Sequence, residues 1–282
     1  MKFLQIIRKN FIIFILIFFL VLWSLGPILW SFIVSVNSEA NMISKPPIIN
    51  FNGFNLTKYK ILLTGKTGQG ESFRKSFLNS VLVCIIATIL NILISTIAGY
   101  AFSRFTFFGK RFLFLIIILT MPVPLILIAI PLTKMMSAFN LMDSYIGLSL
   151  IYVSLIMPLT TWMSTNYFHT IPKDLEDAAS IDGCNRTQIF IKIFLPLVKP
   201  LIGSIAIMSF LNSWGQFFMP LIFSSSKTKQ LSVFITEFIG KYDVQKGLIA
   251  ASGIIAIIPP ILIVLFFNKF IISGLIRGSI KE

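Results

Sequence analysis

Long uncharged stretches dominate the pattern of hydrophobic and polar positions along this chain. Six of them contain no Asp, Glu, Lys, Arg or His, and they extend over about residues 11–36, 77–102, 112–133, 145–168, 200–224 and 248–268. About 20 mostly apolar residues are enough for a helix to cross the hydrocarbon core of a membrane. We therefore predict an all-α polytopic membrane protein with six transmembrane helices, organised as a single transmembrane domain over residues 1–282.

Composition supports a membrane protein with its first hydrophobic stretch retained. Hydrophobic residues make up 56% of the chain, and mean hydropathy is +0.90, whereas soluble domains are about 45–50% apolar. The first stretch follows Lys2, Arg8 and Lys9, as a signal peptide would. However, it is longer than the roughly 7–15 apolar residues of a signal peptide, and no small-residue cleavage site follows it. We therefore predict that it is the first transmembrane helix.

Basic residues indicate the orientation in the membrane. The short loop that carries Arg104, Lys110 and Arg111 is predicted to be cytoplasmic, because short cytoplasmic loops are rich in Lys and Arg. Both termini and residues 170–196 would then be cytoplasmic, and the long loop over about 37–75 external. The net charge of +14 indicates topology and attraction to anionic membrane lipids. No nucleic-acid partner is predicted, because no basic stretch has the required aromatic pattern.

Ion-driven transport and nucleotide binding are both disfavoured. No Asp, Glu, Lys, Arg or His falls inside the six stretches, whereas proton relays and many ion-coupled carriers depend on such groups. Gly65-Lys66-Thr67 resembles the end of a phosphate-binding loop, but Lys60 stands where that motif needs a glycine. Cys84, Cys184 and the single histidine, His169, are too few for a metal site or a disulfide framework. We predict no catalytic site, no metal and no cofactor on this chain.

The polar segment 170–196 predicts two short helices joined at a glycine. Thr170 is the predicted N-cap of the first helix, with Pro172 near its first position. Asp174, Glu176 and Asp177 would then lie in the early turns, where acids suit the positive end of the helix dipole.

Gly183 is the predicted end of this first helix, since glycine readily adopts the left-handed conformation. Asn185 and Gln188 predict a capping box that opens the second helix, which would run to Pro196.

Two alanines give the first of these helices a small surface between acids. Ala178 and Ala179 would let another backbone approach closely, as small residues do at packed helix contacts. A helix lying on the bilayer is the alternative, but such helices favour Lys and Arg on the polar face. We therefore expect a protein partner at this surface.

The residues of this segment resemble a known signature. Asp177-Ala178-Ala179, three residues, Gly183, nine residues, Ile193, one residue and Leu195-Pro196 match the spacing of the EAA motif in permease subunits of binding-protein-dependent ABC importers. Asp177 stands where that motif usually has Glu. The stretches IPKDLEDAASIDG, SWGQFFMPLIF and GYAFSRFTFFGKRFLF look like the carbohydrate-uptake branch, in particular its second maltose-type permease subunit.

This resemblance implies a permease subunit of an importer, without an ATPase site of its own. It implies a second permease subunit, two ATPase subunits that bind ATP and Mg, and an extracytoplasmic solute-binding protein. It also implies that contact with the ATPase involves Glu176, Asp177, Ala178, Ala179, Asp182, Gly183, Ile193, Leu195 and Pro196. The alternatives are an importer of glycerol phosphate or another non-sugar solute, an ion-driven secondary carrier, and a membrane scaffold.

Polar and aromatic residues of the fifth stretch are candidates for the solute pathway. They are Asn212, Ser213, Trp214, Gln216 and Phe217. Amides can replace water around hydroxyl groups, and aromatic faces pack against sugar rings. The alternative is that these side chains bond one helix to another. Importers of this family often have Asn and an acid after the tryptophan, whereas Gly215 and Gln216 follow Trp214 here.

Overall fold

The computed structural model describes residues 2–50, 53–240 and 245–279, and every regular element in these residues is a helix. The first seven are α1 (Lys2–Val36), α2 (Glu39–Ile43), α3 (Thr57–Thr64), α4 (Gly68–Arg104), α5 (Lys110–Leu119), α6 (Leu125–Ala138) and α7 (Tyr145–His169). They are followed by α8 (Asp174–Ile181), α9 (Arg186–Ile189), a π-helical stretch (Phe190–Phe194), α10 (Leu195–Leu197), α11 (Lys199–Trp214) and α12 (Phe218–Phe223). The last are α13 (Leu231–Ile235), a 3₁₀ turn (Thr236–Phe238), α14 (Lys246–Ala256) and α15 (Ile258–Ser279). The all-α prediction is confirmed.

Four segments are long and apolar enough to cross a membrane. They are Ile13–Val36, Gly68–Arg104, Tyr145–His169 and Lys246–Asn268. A fifth results if Arg186–Leu197 and Lys199–Trp214, which meet at an angle of 74°, form one bent span. The chain is therefore all-helical with four or five candidate spans in its described part, and the six-helix topology stays a prediction.

The third predicted span is interrupted. A single helix was expected over 112–133, whereas α5 ends at Leu119 and α6 begins at Leu125. Pro122 and Pro124 lie in the interruption, and Pro124 is the N-cap of α6. Proline lacks the backbone N–H that would continue the helix, so these two residues account for the division.

The fifth predicted span also consists of two pieces. α11 ends at Trp214 and α12 begins at Phe218, so the stretch 200–224 is broken at 215–217. The predicted pathway residues therefore surround a helix break, instead of lying on one continuous helix face.

One compact unit comprises the described parts of residues 1–74 and 234–258. In it α1 and α3 both pack against α14. The Lys58 ammonium donates to the carbonyl oxygens of Ser35, at 3.2 Å, and of Asn37. Glu39 accepts a hydrogen bond from the N–H of Gly247 at 2.8 Å. Burial lowers the pKa of Lys58, and the Glu39 carboxylate opposes this shift. Polar contacts thus hold the residues that follow α1 against α14.

A second compact unit comprises the described parts of residues 75–233 and 259–282. Its core is formed mainly by α4, α7, α11 and α12, including Tyr152 and Phe210. The Asn91 amide donates to the Ser209 hydroxyl at 2.6 Å, and the Thr160 hydroxyl donates to Asn91 Oδ1 at 3.1 Å. These bonds join α4, α7 and α11 through buried polar groups, as polar side chains do between packed transmembrane helices.

At Gly99 the backbones of α4 and α7 approach closely. A Cβ atom at this position would lie 2.2 Å from the Cβ of Ser164 and 2.8 Å from its carbonyl carbon. Only a residue without a side chain fits so close to another backbone. This contact sets the spacing of the two helices that lead to the polar segment.

Candidate functional site

The first helix of the polar segment begins later than predicted. α8 starts at Asp174, with Lys173 in the N-cap position and no side-chain cap. Thr170 instead ends α7, and its hydroxyl donates to the Tyr167 carbonyl at 2.8 Å. The prediction of Thr170 as the N-cap of α8 is therefore wrong, because α7 extends through His169. The three acids do lie in the first turn of α8, as predicted, where the positive end of the helix dipole stabilises their negative charges.

Gly183 ends α8 in the predicted left-handed conformation, with φ of +81°. The Cys184 N–H donates to the Ala179 carbonyl at 3.0 Å, and the Gly183 N–H donates to the Ser180 carbonyl at 3.1 Å. This pair of bonds is the Schellman arrangement, which satisfies the last carbonyls of a helix. No atom lies within 4 Å of the position that a Gly183 Cβ would occupy. Glycine is therefore favoured here by backbone conformation and not by lack of space.

The second helix opens with the predicted capping box. The Gln188 N–H donates to Asn185 Oδ1 at 2.9 Å, and the Asn185 N–H donates to Gln188 Oε1 at 2.8 Å. The helix then widens: the Leu195 N–H donates to the carbonyl of Phe190, five residues earlier. Pro196 follows directly and has no N–H to continue the regular pattern. The chain bends by 74° at Val198, where α11 begins.

Glu176 lies inside the protein, between two arginines. Its side chain is 9% exposed, and one carboxylate oxygen is 3.8 Å from Arg104 Nε at the end of α4. The other oxygen accepts a hydrogen bond from Arg186 on α9. Arg104 also donates to the carbonyls of Phe168 and Ile171, at 3.0 and 2.5 Å. Glu176 therefore joins α4, the end of α7, α8 and α9 in one network of polar contacts.

Aromatic rings surround this network. The Arg104 guanidinium lies 4.9 Å from the centre of the Phe194 ring, and Tyr100 contacts the rings of Phe168 and Phe194 at 5.6 and 5.2 Å. The ion pair with Arg104 is thus screened from water, since only 3% of the Arg104 side chain is exposed. Sequence reasoning missed both arginines. Arg104 is remote from Glu176 along the chain, and Arg186, ten residues after Glu176, is not a fixed position of the recognised spacing.

The exposed side of α8 combines acids with apolar side chains. We call it the α8 outer face and define it by the exposed residues Leu175, Asp177, Ala178, Ile181 and Asp182. The Ile181 side chain is 87% exposed. An isoleucine this exposed beside two carboxylates offers an apolar contact within an acidic surface, which suits a basic protein partner better than an anionic bilayer.

The other predicted residues of this segment are divided between packing and exposure. Ala179 is buried in the cluster that includes Phe168 and Phe194, and Ile193 and Leu195 are partly buried against the same cluster. Pro196 is exposed. The recognised spacing therefore contains residues that hold the two helices together as well as residues that face outward.

The predicted pathway residues lie around the break between α11 and α12. Trp214 stacks on Phe210 with ring centres 5.7 Å apart and meets Phe77 edge-on at 6.0 Å. Gln216 Nε2 is 3.5 Å from Asn212 Oδ1, a long contact between two amides. Ser213 is buried, while Asn212 and Phe217 are exposed. The structure thus brings the Asn212 and Gln216 side chains together. The Ser213 side chain is buried, whereas that of Asn212 is exposed.

Asp143 anchors the chain that follows α12, a role that sequence reasoning missed. Its carboxylate accepts hydrogen bonds from the N–H groups of Ser225, Lys227 and Thr228 at 2.9 to 3.0 Å, and from the Thr228 hydroxyl at 2.7 Å. Burial raises the pKa of Asp143, but these hydrogen bonds outweigh it and hold the pKa below its usual value. The available signal was its isolation, since no other acid occurs between Glu71 and Asp174.

Further bonds secure the same segment to α4 and α7. The Asn79 amide donates to the carbonyls of Lys227 and Lys229, at 3.0 and 3.1 Å, and accepts from the Tyr145 hydroxyl at 2.8 Å. The Ser232 hydroxyl donates to the Gln216 carbonyl at 2.8 Å. The stretch that includes α12 is therefore fixed at both ends.

Within the described residues, no three His, Cys, Asp or Glu side chains lie close enough together to hold a metal ion.

Comparison with known proteins identifies the family. Residues 91–277 match the family described as binding-protein-dependent transport system inner membrane component. The arabinooligosaccharides transport system permease protein of Bacillus subtilis is 32% identical over 94% of this chain and 89% of its own length. The sulfoquinovosyl glycerol transport system permease protein of Agrobacterium fabrum is 31% identical over 91% of this chain and 89% of its own length.

A solved structure is similar over nearly the whole fold. It is a bacterial ABC transporter involved in the import of the acidic polysaccharide alginate, one chain of which matches with a TM-score of 0.73. The match covers 97% of this chain and 96% of that chain at 21% identity, so it supports the fold alone. Together with the family match and the apolar helices, these similarities identify a multi-pass membrane protein that belongs to the inner membrane components of binding-protein-dependent transport systems.

Proposed function

We propose that this chain is the permease subunit of an ABC importer that moves a carbohydrate or a related polar solute into the cell. Separate ATPase subunits, which bind ATP and Mg, would supply the energy. The relatives from Bacillus and Agrobacterium are permeases for arabinooligosaccharides and sulfoquinovosyl glycerol. Both solutes carry sugar rings with several hydroxyl groups. The observation that carries the proposal is the similarity over nearly the full length of such permeases.

In this proposal the membrane is crossed six times. The third crossing is the interrupted pair α5 and α6, and the fifth is α11 followed by α12. Both termini and α8 are cytoplasmic, in agreement with the basic loop at Arg104, Lys110 and Arg111. A second permease subunit completes the solute pathway, and an extracytoplasmic solute-binding protein delivers the solute. A related alginate transporter has been captured with a periplasmic protein carrying an alginate pentasaccharide.

The α8 outer face would contact the ATPase. Its exposed Asp177, Ala178 and Ile181 provide the charge, the small surface and the apolar contact that such a partner requires. Gly183, Ile193, Leu195 and Pro196 would set the direction of the two helices. Glu176 would act from within, because its bonds to Arg104 and Arg186 fix α8 to the transmembrane helices.

Movement of α8 would reach the transmembrane helices through Arg104. This side chain belongs to α4 and bonds to carbonyls at the end of α7, so a displacement of α8 would carry both helices with it. The ATPase can shift the permease between two states only if it binds them with different affinity. Closure of the ATPase dimer on ATP would provide that difference.

The solute would pass near the break between α11 and α12. Asn212 and Gln216 offer amide groups for solute hydroxyls, and the exposed Phe217 offers an aromatic surface for a sugar ring. Trp214, which is already stacked on Phe210, would form the wall behind them. The buried Ser213 would support the helix and not the solute.

Reconstitution tests the proposed function. Proteoliposomes would contain this chain with its second permease, its ATPase subunits and its solute-binding protein, and uptake of labelled arabinotriose and trehalose would be measured. We expect uptake of at least one sugar that requires both ATP and the solute-binding protein. Uptake that continues without the ATPase subunits, driven by an ion gradient, would instead establish a secondary carrier.

A single substitution tests the ATPase contact. Ile181→Asp should reduce ATPase co-purification at least tenfold, because a third carboxylate would replace the apolar centre of the α8 outer face. Ile239→Asp is the matched control, since Ile239 is also exposed but belongs to the other compact unit. Equal co-purification of the ATPase with both variants would remove the α8 outer face from the proposal.

A further inference from the structure

A cavity of about 670 Å³ beside the ends of α4 and α7 has no part in the function proposed above. Phe102 contributes from α4, Phe112 and Phe114 from α5, and Thr165 and His169 from α7. All of these residues belong to the second compact unit. The volume falls within the range of about 300–1,000 Å³ that is typical of ligand sites.

Basic groups occupy one side of this cavity. Lys110, Arg111 and His169 line it, and none of its lining residues is acidic. Lys110 is held in place by a hydrogen bond of 2.9 Å to the Phe105 carbonyl. Both ion pairs found in the described part of the chain involve Glu176, so Arg111 makes none there. The site is therefore positive and lacks an internal counter-charge.

The start of α5 adds to this positive character. The helix begins at Lys110, and no side chain caps its first N–H groups, since its N-cap is Gly109. Uncapped N–H groups and the helix dipole both favour an anion at this end.

Phenylalanines form the other side of the cavity. Phe102 contacts the rings of Phe107 and Phe114, with centres 5.8 and 5.2 Å apart. Phe112 and Phe108 are exposed, and the Phe108 side chain is fully so. Phenylalanine rings offer an apolar surface to acyl chains, while neighbouring lysine and arginine side chains can reach the lipid headgroups.

We infer that this cavity binds one anionic phospholipid from the surrounding leaflet. The phosphate would lie against Arg111 and the start of α5, and an acyl chain would run along Phe112 and Phe114. An apolar helix of a partner subunit would leave the charges of Lys110 and Arg111 without a counter-charge. A water-soluble phosphate would leave the aromatic wall empty. Only a ligand with an anionic head and an apolar tail matches both sides of the cavity.

Native mass spectrometry of the complete importer complex in detergent tests this inference. Bound lipid would be counted during titration with dioleoylphosphatidylglycerol or dioleoylphosphatidylcholine, which have the same acyl chains. We expect the anionic lipid to bind more tightly. Arg111→Gln should weaken its binding about fivefold, the factor that corresponds to roughly 1 kcal/mol for one basic residue near an anionic membrane. Lys199→Gln removes the same charge from an exposed residue outside the cavity and should leave binding unchanged.

A second pair of variants tests the apolar side of the cavity. Phe112→Ala should weaken binding of the anionic lipid, whereas Phe108→Ala should not, because Phe108 is exposed but does not line the cavity. Glycerol 1-phosphate, which has the headgroup phosphate without acyl chains, should not displace the lipid. These measurements do not depend on transport, so they are independent of the proposed function.

Four outcomes would overturn the inference. Equal affinity for the two lipids, or equal weakening by Arg111→Gln and Lys199→Gln, would mean that the cavity does not select an anionic lipid. Displacement by glycerol 1-phosphate would reveal a site for soluble anions. If Phe112→Cys formed an efficient disulfide with a cysteine introduced into the second permease subunit, that subunit would cover the cavity.

Discussion

Glu176 and Asp177 are adjacent in sequence, but their surroundings differ, and so do the roles that we assign to them. Glu176 is enclosed between Arg104 and Arg186, whereas Asp177 lies on the α8 outer face. A buried charge needs a partner, because only attraction to that partner offsets the free-energy cost of removing the charge from water. An exposed charge adds about 0–1 kcal/mol to stability. The same chemical group therefore supports the fold at one position and is available for recognition at the next.

Glu176→Gln should destabilise the protein strongly. It would leave Arg104 with only 3% of its side chain exposed and no carboxylate beside it, which we expect to cost about 3 kcal/mol in the free energy of unfolding. Asp177→Asn is the matched control and should change stability by less than about 1 kcal/mol. Thermal unfolding of the purified complex in detergent would measure both. Similar unfolding temperatures for the two variants would contradict the role given to Glu176.

Gly183 allows conformation and side-chain size to be separated. With φ of +81° and no atom within 4 Å of a Cβ, Gly183→Asn should be tolerated, because Asn adopts the left-handed conformation more readily than most residues. Gly183→Val should be strained by at least about 1–2 kcal/mol, since β-branched residues are outliers there. We expect the valine variant to lose ATPase co-purification and sugar uptake, and the asparagine variant to retain most of both. Equal loss in the two variants would indicate that side-chain size decides the outcome.

At the scale of elements, hydrophobic pattern predicted the long helices but not their interruptions. The six-stretch pattern located α1, α4 and α7 because their apolar lengths exceed what a membrane crossing needs. It placed one helix over 112–133 although Pro122 and Pro124 were visible, because a count of uncharged residues does not register a missing N–H. The capping box at Asn185 and the stop at Gly183 were predictable, since both depend on residues close in sequence.

Contacts between distant residues were beyond such reasoning. Asp143 bonds to residues 225–228, and Glu176 pairs with Arg104, through bonds that depend on how helices meet. The left-handed φ of +47° at Asp143 likewise has no local sequence signal beyond the general tolerance of Asp. The polar segment 170–196 was therefore predictable as two helices, while its attachment to α4 was not.

Asp143→Asn tests the anchor of the segment after α12. Asparagine fits the positive φ, so the variant keeps the backbone conformation but replaces one accepting oxygen with an N–H₂ group. We expect hydrogen exchange at the Lys227 amide, which bonds to the replaced oxygen, to be at least tenfold faster than in the unchanged protein, and exchange at the Ser225 and Thr228 amides to accelerate less. The amide of Leu231, which bonds to Ser80 instead, provides the internal control. Unchanged exchange at all four amides would mean that Asp143 does not hold the segment.

The pH dependence of this anchor follows from its chemistry. Hydrogen bonds hold the pKa of Asp143 below its usual value despite burial, so the folded protein favours the ionised carboxylate. Its stabilising contribution is complete above the ordinary pKa of about 3.9 and declines as pH falls through the lower folded-state value. Protection of the Ser225 and Thr228 amides should therefore persist from neutral pH to about pH 4 and decrease only below it. Loss of protection between pH 5 and 7 would contradict this assignment.

At the scale of the whole molecule, the charged contacts around Glu176 lie outside the six predicted stretches. No Asp, Glu, Lys, Arg or His falls in the six predicted stretches, whereas many ion-coupled carriers depend on such groups within the bilayer. In the proposed function, the α8 outer face is the surface on which the ATPase acts. Together with membership of a binding-protein-dependent family, this composition favours the proposed ATP-driven transport over an ion-driven carrier.

Topology is the whole-molecule property on which the proposal depends, because α8 must lie on the same side as an ATPase. Single cysteines at Gly68 and Asp182 would be introduced in a background with Cys84→Ser and Cys184→Ser. Both positions are exposed, and Asp182 avoids the capping box that a change at Asn185 would break. In intact cells that produce this chain without the ATPase subunits, which would cover Asp182, an impermeant maleimide should label only the cysteine at position 68. Opening the membrane should give access to position 182 as well, since the predicted cytoplasmic side holds α8. Labelling of both cysteines in intact cells would reject the six-helix topology, and with it the approach of an ATPase to the α8 outer face.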